Sequence, residues 1–259
     1  MKDLAFEILP VDLLDKYLSQ VPQTILQSFE QLKDNELSAG TFSFYTSVSA
    51  VFSSKIEGES IELDSFMKHK MLGVKFLPDY TQKTDDLYEA YQFAQRTTLS
   101  YASVQETHKL LIKHILQKER KSRLRTANMA VITPDAEIEY VACSPDLVRQ
   151  KLDMLFNDIN LALKAKLTAQ EVFFCAAMVH LVFVKIHPFE DGNGRTACLL
   201  EKWFIAEKLG PKAWFMQSEK YYYDHHQAYY HNIRLPGLEY ELLDYSNALP
   251  FLLMLPQSF

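Results

Sequence analysis

The eighteen residues from Ala169 to Ile186, AQEVFFCAAMVHLVFVKI, are apolar almost all round. A surface helix carries one apolar stripe, whereas a segment apolar on every side must be enclosed by other elements. The rest of the chain is therefore obliged to pack around this one, which can hold whatever follows it rigidly in place. Only seven glycines occur in 259 residues, and helix-favouring segments succeed one another, so the expected fold class is all-α. With 48% hydrophobic residues, a chain of this length can bury a sizeable core.

The central segment runs directly into IHPFEDGNGRTACLL, Ile186 to Leu200, which concentrates the chemistry of the chain. His187 offers a nitrogen that titrates near neutral pH. Asp191 offers a hard carboxylate oxygen of the kind that holds magnesium beside substrate phosphates. Gly192, Asn193 and Gly194 form a turn without bulk, whose backbone N–H groups can surround one anion. The apolar run after the turn predicts a helix whose positive end adds to that attraction. Arg195 supplies a planar charged fork for a second phosphate group.

Composition narrows the partners. A formal charge of −6 and a pI near 5.8 provide no general pull toward nucleic acid or an acidic membrane surface, so any basic site is local. Cys143, Cys175 and Cys198 lack metal-ligand spacing and do not read as a disulfide framework. The N-terminus has acids within its apolar stretch and no signal-peptide pattern, and no uncharged run approaches bilayer length. A cytoplasmic setting, without nucleic-acid or membrane partners, is the expectation.

His187-Pro188-Phe189-Glu190-Asp191-Gly192-Asn193-Gly194-Arg195 resembles the HPFx(D/E)GNGR signature of the Fic (Fic/Doc) family at every fixed position. The resemblance implies a Fic-type helical fold with a small β-hairpin flap, and transfer of AMP from ATP, with Mg²⁺, to a hydroxyl of a target protein. The fuller signature continues to a second arginine, where this chain has Cys198. Ser53-x-x-x-Glu57-Gly58, about 130 residues upstream, resembles the (S/T)xxxE(G/N) motif of relatives with their own inhibitory helix. There the glutamate pairs with the second arginine and competes with the γ-phosphate. Without that arginine Glu57 lacks its expected partner; Lys202, one turn past Cys198, is the candidate substitute.

The expected organisation is an N-terminal helical region, 1–75, carrying the inhibitory helix, and a catalytic core, 76–259, the two forming one compact unit. Apolar spacing predicts a helix from Val11 to Leu37, then a small-residue helix ending near Gly58, and further helices over Glu62 to Leu72 and Asp85 to Tyr101. Ser103 and Glu106 predict a capping box for a helix reaching about Gln117. His108 and His114, too far apart to share a metal, read as structural or surface residues. The run KERKSRLR, Lys118 to Arg125, is either a solvated loop or a contact for phosphate or an acidic target.

Alternation around Thr133-Pro134-Asp135 predicts a hairpin. It either closes the core or, by the resemblance, serves as the flap whose edge holds the target backbone, with Ile132, Thr133, Glu137, Ile138 and Tyr140 in contact. His180 reads as a core residue satisfied by a hydrogen bond. By the same resemblance, Tyr221, Tyr222, Tyr229, Tyr230 and Asn232 are candidates to face the adenine. The last apolar stretch is a packed terminal helix or part of a subunit contact.

The function implied is protein adenylylation. His187 acts as general base, Asp191 as magnesium ligand and Gly192, Asn193, Gly194 and Arg195 as phosphate cradle. Glu57 inhibits, with Ser53 in its motif. The target is a Ser, Thr or Tyr hydroxyl of another protein or of the chain itself, and homo-oligomers are compatible with this. The alternatives are transfer of a different phosphate-linked group, Doc-like phosphorylation, or a regulatory module that binds nucleotide after its chemistry has decayed.

Overall fold

The computed structural model describes residues 1, 4–40, 42–117, 120, 123–132 and 138–258. Among them the fold is all-α with one two-stranded antiparallel sheet. In chain order the helices are α1 (Leu14–Leu18), α2 (Ile25–Gln31), α3 (Phe44–Ile56), α4 (Leu63–Leu72), α5 (Pro78–Ala94) and α6 (Tyr101–Leu111). Strands β1 (Ala130–Ile132) and β2 (Ile138–Val141) precede α7 (Pro145–Lys164), α8 (Ala169–Ile186) and α9 (Asn193–Leu209). The chain finishes with α10 (Ser218–Asp224), α11 (His226–Arg234) and α12 (Leu249–Leu252).

Helix α8 is the central segment predicted above. Thr168 and Glu171 close a reciprocal capping box at its start, and every residue from Val172 to Ile186 is buried. By length and composition it could cross a bilayer, but 89% of it is covered by the protein itself. Helix α7 presents its apolar side to α8, and α9 packs beside α8 after the loop that joins them.

The single helix expected over Val11 to Leu37 is two. Pro22, which lacks an N–H and disfavours helical geometry at Val21, separates α1 from α2. Both still reach the centre, Tyr17 edge-on to Phe174 and Phe29 edge-on to Phe173. Helix α5 begins earlier than expected because Pro78 occupies its first turn, where the fixed φ is an advantage. At α6 the capping residue is Ser100, with Ser103 returning the bond, and the helix stops at Leu111. Glu106 instead pairs with Lys109 on the surface.

Ser43 caps α3, and the small side chains Ser47, Ser49, Ala50, Ser53 and Ser54 are all buried where α3 meets α5, α9 and α10. The hairpin pairs Ala130 with Val141, Val131 with Tyr140 and Ile132 with Ile138, with an irregularity after Val131. The expected turn, with Thr133 and Glu137, lies outside the described residues. At the C-terminal end Phe251, Leu252 and Leu255 join the core, so this stretch packs against the chain itself.

Candidate active site

His187 caps the C-terminus of α8 at φ 51°, ψ 61°, the one non-glycine residue at positive φ among the described residues. Its N–H still donates to Phe183 O at 2.9 Å. The chain leaves the helix here because Arg125 gathers the carbonyls at this corner. Its guanidinium donates to His187 O at 2.6 Å, Ile186 O at 3.1 Å, Ala127 O at 2.8 Å and Cys143 O. Its backbone N–H donates to Pro188 O at 3.0 Å. Arg125 therefore departs from the solvated-loop reading of the basic run: it is buried, with its guanidinium committed to backbone carbonyls. Sequence inspection missed this role because five charged neighbours made the segment look exterior.

The turn is braced from two more directions. The Asn193 side chain donates to Phe189 O and accepts from Phe189 N–H, each at 2.9 Å, so only its backbone is left for a ligand. From α6, the fully buried His108 donates from Nε2 to Asp191 O at 2.9 Å and stacks on Phe189 at 3.7 Å. Burial lowers its pKa to about 4, which keeps the ring neutral. His108 is thus structural, directly beneath the turn. Its position between Val104 and Leu111 on the buried side of α6 was the available signal. His180 is likewise a satisfied core residue, between Glu201 and Tyr229.

A cavity of about 130 Å³ opens above the turn, lined among others by Glu57, Tyr140, His187, Asp191, Gly194 and Tyr230. Asp191 Oδ1 accepts from Arg195 Nη2 at 2.7 Å and from the Gly192 N–H. Arg195 is buried, and its Nε has no hydrogen-bond partner among the described residues. Glu57 follows the last residue of α3 and sends its carboxylate onto the start of α9. A methyl group built on Gly194 would come within 2.0 Å of its Oε1. Though Glu57 is exposed at the cavity mouth, desolvation of its carboxylate raises its pKa, against the pull of Arg195 and helped by Asp191. Ser53, one turn earlier, is buried, with no partner for its hydroxyl among the described residues.

Lys202 does not take the place of the missing arginine. Its ammonium donates to Glu219 at 2.6 Å, Ser49 at 2.7 Å and Met216 O at 2.8 Å, all within the core. Cys198 is buried nearby, and burial, with Glu219 and Glu201, pushes its thiol pKa well up.

His187 is neutral, its pKa lowered to about 4 by burial and then by Arg125. Tyr140, expected on the hairpin edge, is buried, with its hydroxyl 3.0 Å from His187 Nδ1. Among the described residues, Ile132 and Ile138 are the exposed large apolar side chains of the hairpin, at 61% and 49%. Asn232 is not brought to the cavity: its amide meets Met254 Sδ, while α11 presents Tyr229, Tyr230 and Ile233. Tyr221 bonds Gln257 and Tyr222 bonds Glu201, and neither lines this cavity.

A histidine at a helix end, an acid four residues on and an arginine opening the next helix around a glycine turn are features of one segment of the chain. Residues 98–205 match the Fic/DOC family. Fic structures share the fold well beyond that segment. They include a Fic-domain signalling protein from Bacteroides thetaiotaomicron, with 19% identity, a TM-score of 0.69 and coverage of 95% of this chain and 90% of that one. A Fic family protein from Desulfovibrio desulfuricans has 16% identity, a TM-score of 0.73 and coverage of 98% and 74%. Fic-1 from C. elegans has 18% identity, a TM-score of 0.66 and coverage of 94% and 71%. At these identities the likeness is one of fold. No curated protein matches the chain.

Proposed function

We propose that the protein transfers AMP from ATP to a hydroxyl of a target protein or of itself, and that Glu57 restrains the reaction. One observation carries this: the Glu57 carboxylate lies on Gly194, at the N-terminus of α9 and near Arg195, where an anionic ligand would sit. A carboxylate there stands in for a phosphate and excludes one. The partnerless Nε of buried Arg195 is a donor suited to the same anion.

In the reaction the neutral His187 ring accepts the proton of the incoming hydroxyl, a contribution of roughly 10² to 10⁴ in rate. The hydroxyl oxygen bonds to the α-phosphorus, the bond from that phosphorus to the bridging oxygen breaks, and pyrophosphate leaves. Backbone N–H groups of the turn and the Arg195 guanidinium stabilise the charge on the phosphates. Among the described residues no three His, Cys, Asp or Glu side chains form a metal cage. One partly exposed carboxylate, Asp191, suits magnesium held jointly with substrate phosphates, where the ion would neutralise charge.

Incubation with α-labelled ATP tests the reading. Glu57→Gly is expected to raise labelling several-fold, and His187→Ala in that background to abolish it. Equal labelling of the His187 variant would remove the proposed base, and label from γ-labelled ATP instead would indicate phosphorylation. A second reading, nucleotide binding without transfer, draws on Cys198 and on the commitment of Lys202 to Glu219. ATP retained by Glu57→Gly with no adduct would favour it.

A further inference from the structure

We propose that Tyr140 is the positioning residue of His187, accepting the Nδ1 proton on its hydroxyl oxygen so that the Nε2 lone pair is the base. This rests on the transfer reading above and assigns a residue outside the HPF turn to it. The contact is 3.0 Å long, and Tyr140 is 4% exposed. A phenol can donate or accept, so the contact alone leaves two arrangements. If Tyr140 donated into Nδ1, the one proton of the neutral ring would sit on Nε2 and His187 could accept nothing. The transfer reading requires the opposite sense: with Nδ1–H donating to the Tyr140 oxygen, the Nε2 lone pair is left for the incoming hydroxyl.

Tyr140 is held where this role requires. On β2 it pairs with Val131. Its strand neighbour Glu139 is gripped by Arg234 at 2.9 Å and 3.1 Å, tying the strand to α11. Val141 N–H donates to Leu238 O at 2.6 Å. Beneath the ring, the buried Lys185 places Nζ 4.5 Å from its centroid and donates to Gly237 O at 2.9 Å. The phenol stays protonated, since burial and then Glu57 raise its pKa well above the ordinary value. With Nδ1–H donating to its oxygen, the phenolic proton is left to turn toward the cavity that Tyr140 lines together with Glu57. The charged groups around this pair are Arg125 and Asp191 at His187, and Glu57, Glu139 and Lys185 at Tyr140.

Imidazole ¹⁵N spectra at neutral pH test the assignment, with the His187 signals identified by their loss in His187→Asn. In the unmodified protein Nε2 is expected to be unprotonated; in Tyr140→Phe, which keeps the ring and removes the oxygen, the single tautomer should give way to a mixture. An Nε2 proton in the unmodified protein, or an unchanged tautomer in the variant, overturns the proposal. Label transfer in the Glu57→Gly background adds a second readout: Tyr140→Phe should lower kcat about tenfold or more, with KM for ATP changed less than about twofold. An unaltered kcat would also overturn it. Absence of label in every variant would defeat the transferase reading, while the nitrogen spectra would still decide the role of Tyr140.

Discussion

The Glu57 carboxylate lies against Gly194: Oε1 is 2.0 Å from where a Gly194 Cβ would be. Helix α3 therefore ends on the N-terminus of α9, and the charge on Glu57 becomes a property of the site.

Glu57→Gln keeps the shape and removes the charge. Desolvation raises the Glu57 pKa above its ordinary 4.5, so between those values the folded protein holds a proton that the unfolded chain has released. Stability contributed by this group is present at low pH and declines as pH rises through the raised value. The glutamine variant should melt no lower than the parent at pH 8 and lose less stability between pH 5 and 8. Thermal melts across that range check it; a lower melting temperature for the variant at pH 8 would mean that Arg195 more than offsets burial.

Gly192 sits at φ +79°, and a Cβ there would lie 2.7 Å from Leu111 Cδ1 and 2.9 Å from Ile112 Cγ2. Backbone strain and overlap add, so Gly192→Ala should cost about 2–4 kcal/mol in denaturant unfolding. A loss below about 1 kcal/mol would show that α6 yields easily beneath the turn.

Arg125→Lys should fail to rescue Arg125→Ala. One ammonium cannot reproduce a planar fork that meets the carbonyls of Ala127, Cys143, Ile186 and His187. Each buried carbonyl left alone costs about 1–3 kcal/mol, so both variants should lose at least about 3 kcal/mol. In Arg125→Ala the His187 pKa should also climb from about 4 toward 6.5, because a nearby positive charge has gone. Denaturant unfolding and histidine NMR titration report the two effects separately.

Lys202 and Glu219 form an ion pair at 2.6 Å, with side chains 1% and 0% exposed. Lys202→Met alone should cost about 3–5 kcal/mol by stranding the carboxylate, whereas Lys202→Met with Glu219→Leu should cost much less. The comparison measures how strongly the core depends on pairing there. Because Ser49 of α3 also bonds Lys202, the single variant should loosen the helix that carries Glu57.

What was legible in the sequence was what neighbouring residues determine among themselves. The all-round apolarity of α8 put it at the centre, and the HPF turn is a continuous segment whose glycines and helix ends specify its own shape. The partners that hold this turn come from elsewhere in the chain. Arg125, His108 and Tyr140 sit 62, 83 and 47 residues from their respective contacts on His187, Asp191 and His187. Nothing in KERKSRLR distinguishes its last arginine from the exposed Arg120 and Arg123, because what makes burial of that one tolerable is a set of carbonyls that includes the distant Cys143, Ile186 and His187. Asn232 differs in kind: the resemblance offered it as a residue facing the base, whereas the rotation of α11 decides which side chains look into this cavity, and it selects Tyr229, Tyr230 and Ile233.

The left-handed backbone of His187 has a thermodynamic corollary. A residue with a Cβ holds that conformation at a cost of about 1–2 kcal/mol, while glycine does so freely and asparagine nearly so. On the proposed role of His187, replacing the imidazole by either should yield a protein that is inert yet harder to melt than its parent. Durability and reactivity would then pull in opposite directions at one residue, and a screen for thermal resistance would select against the histidine.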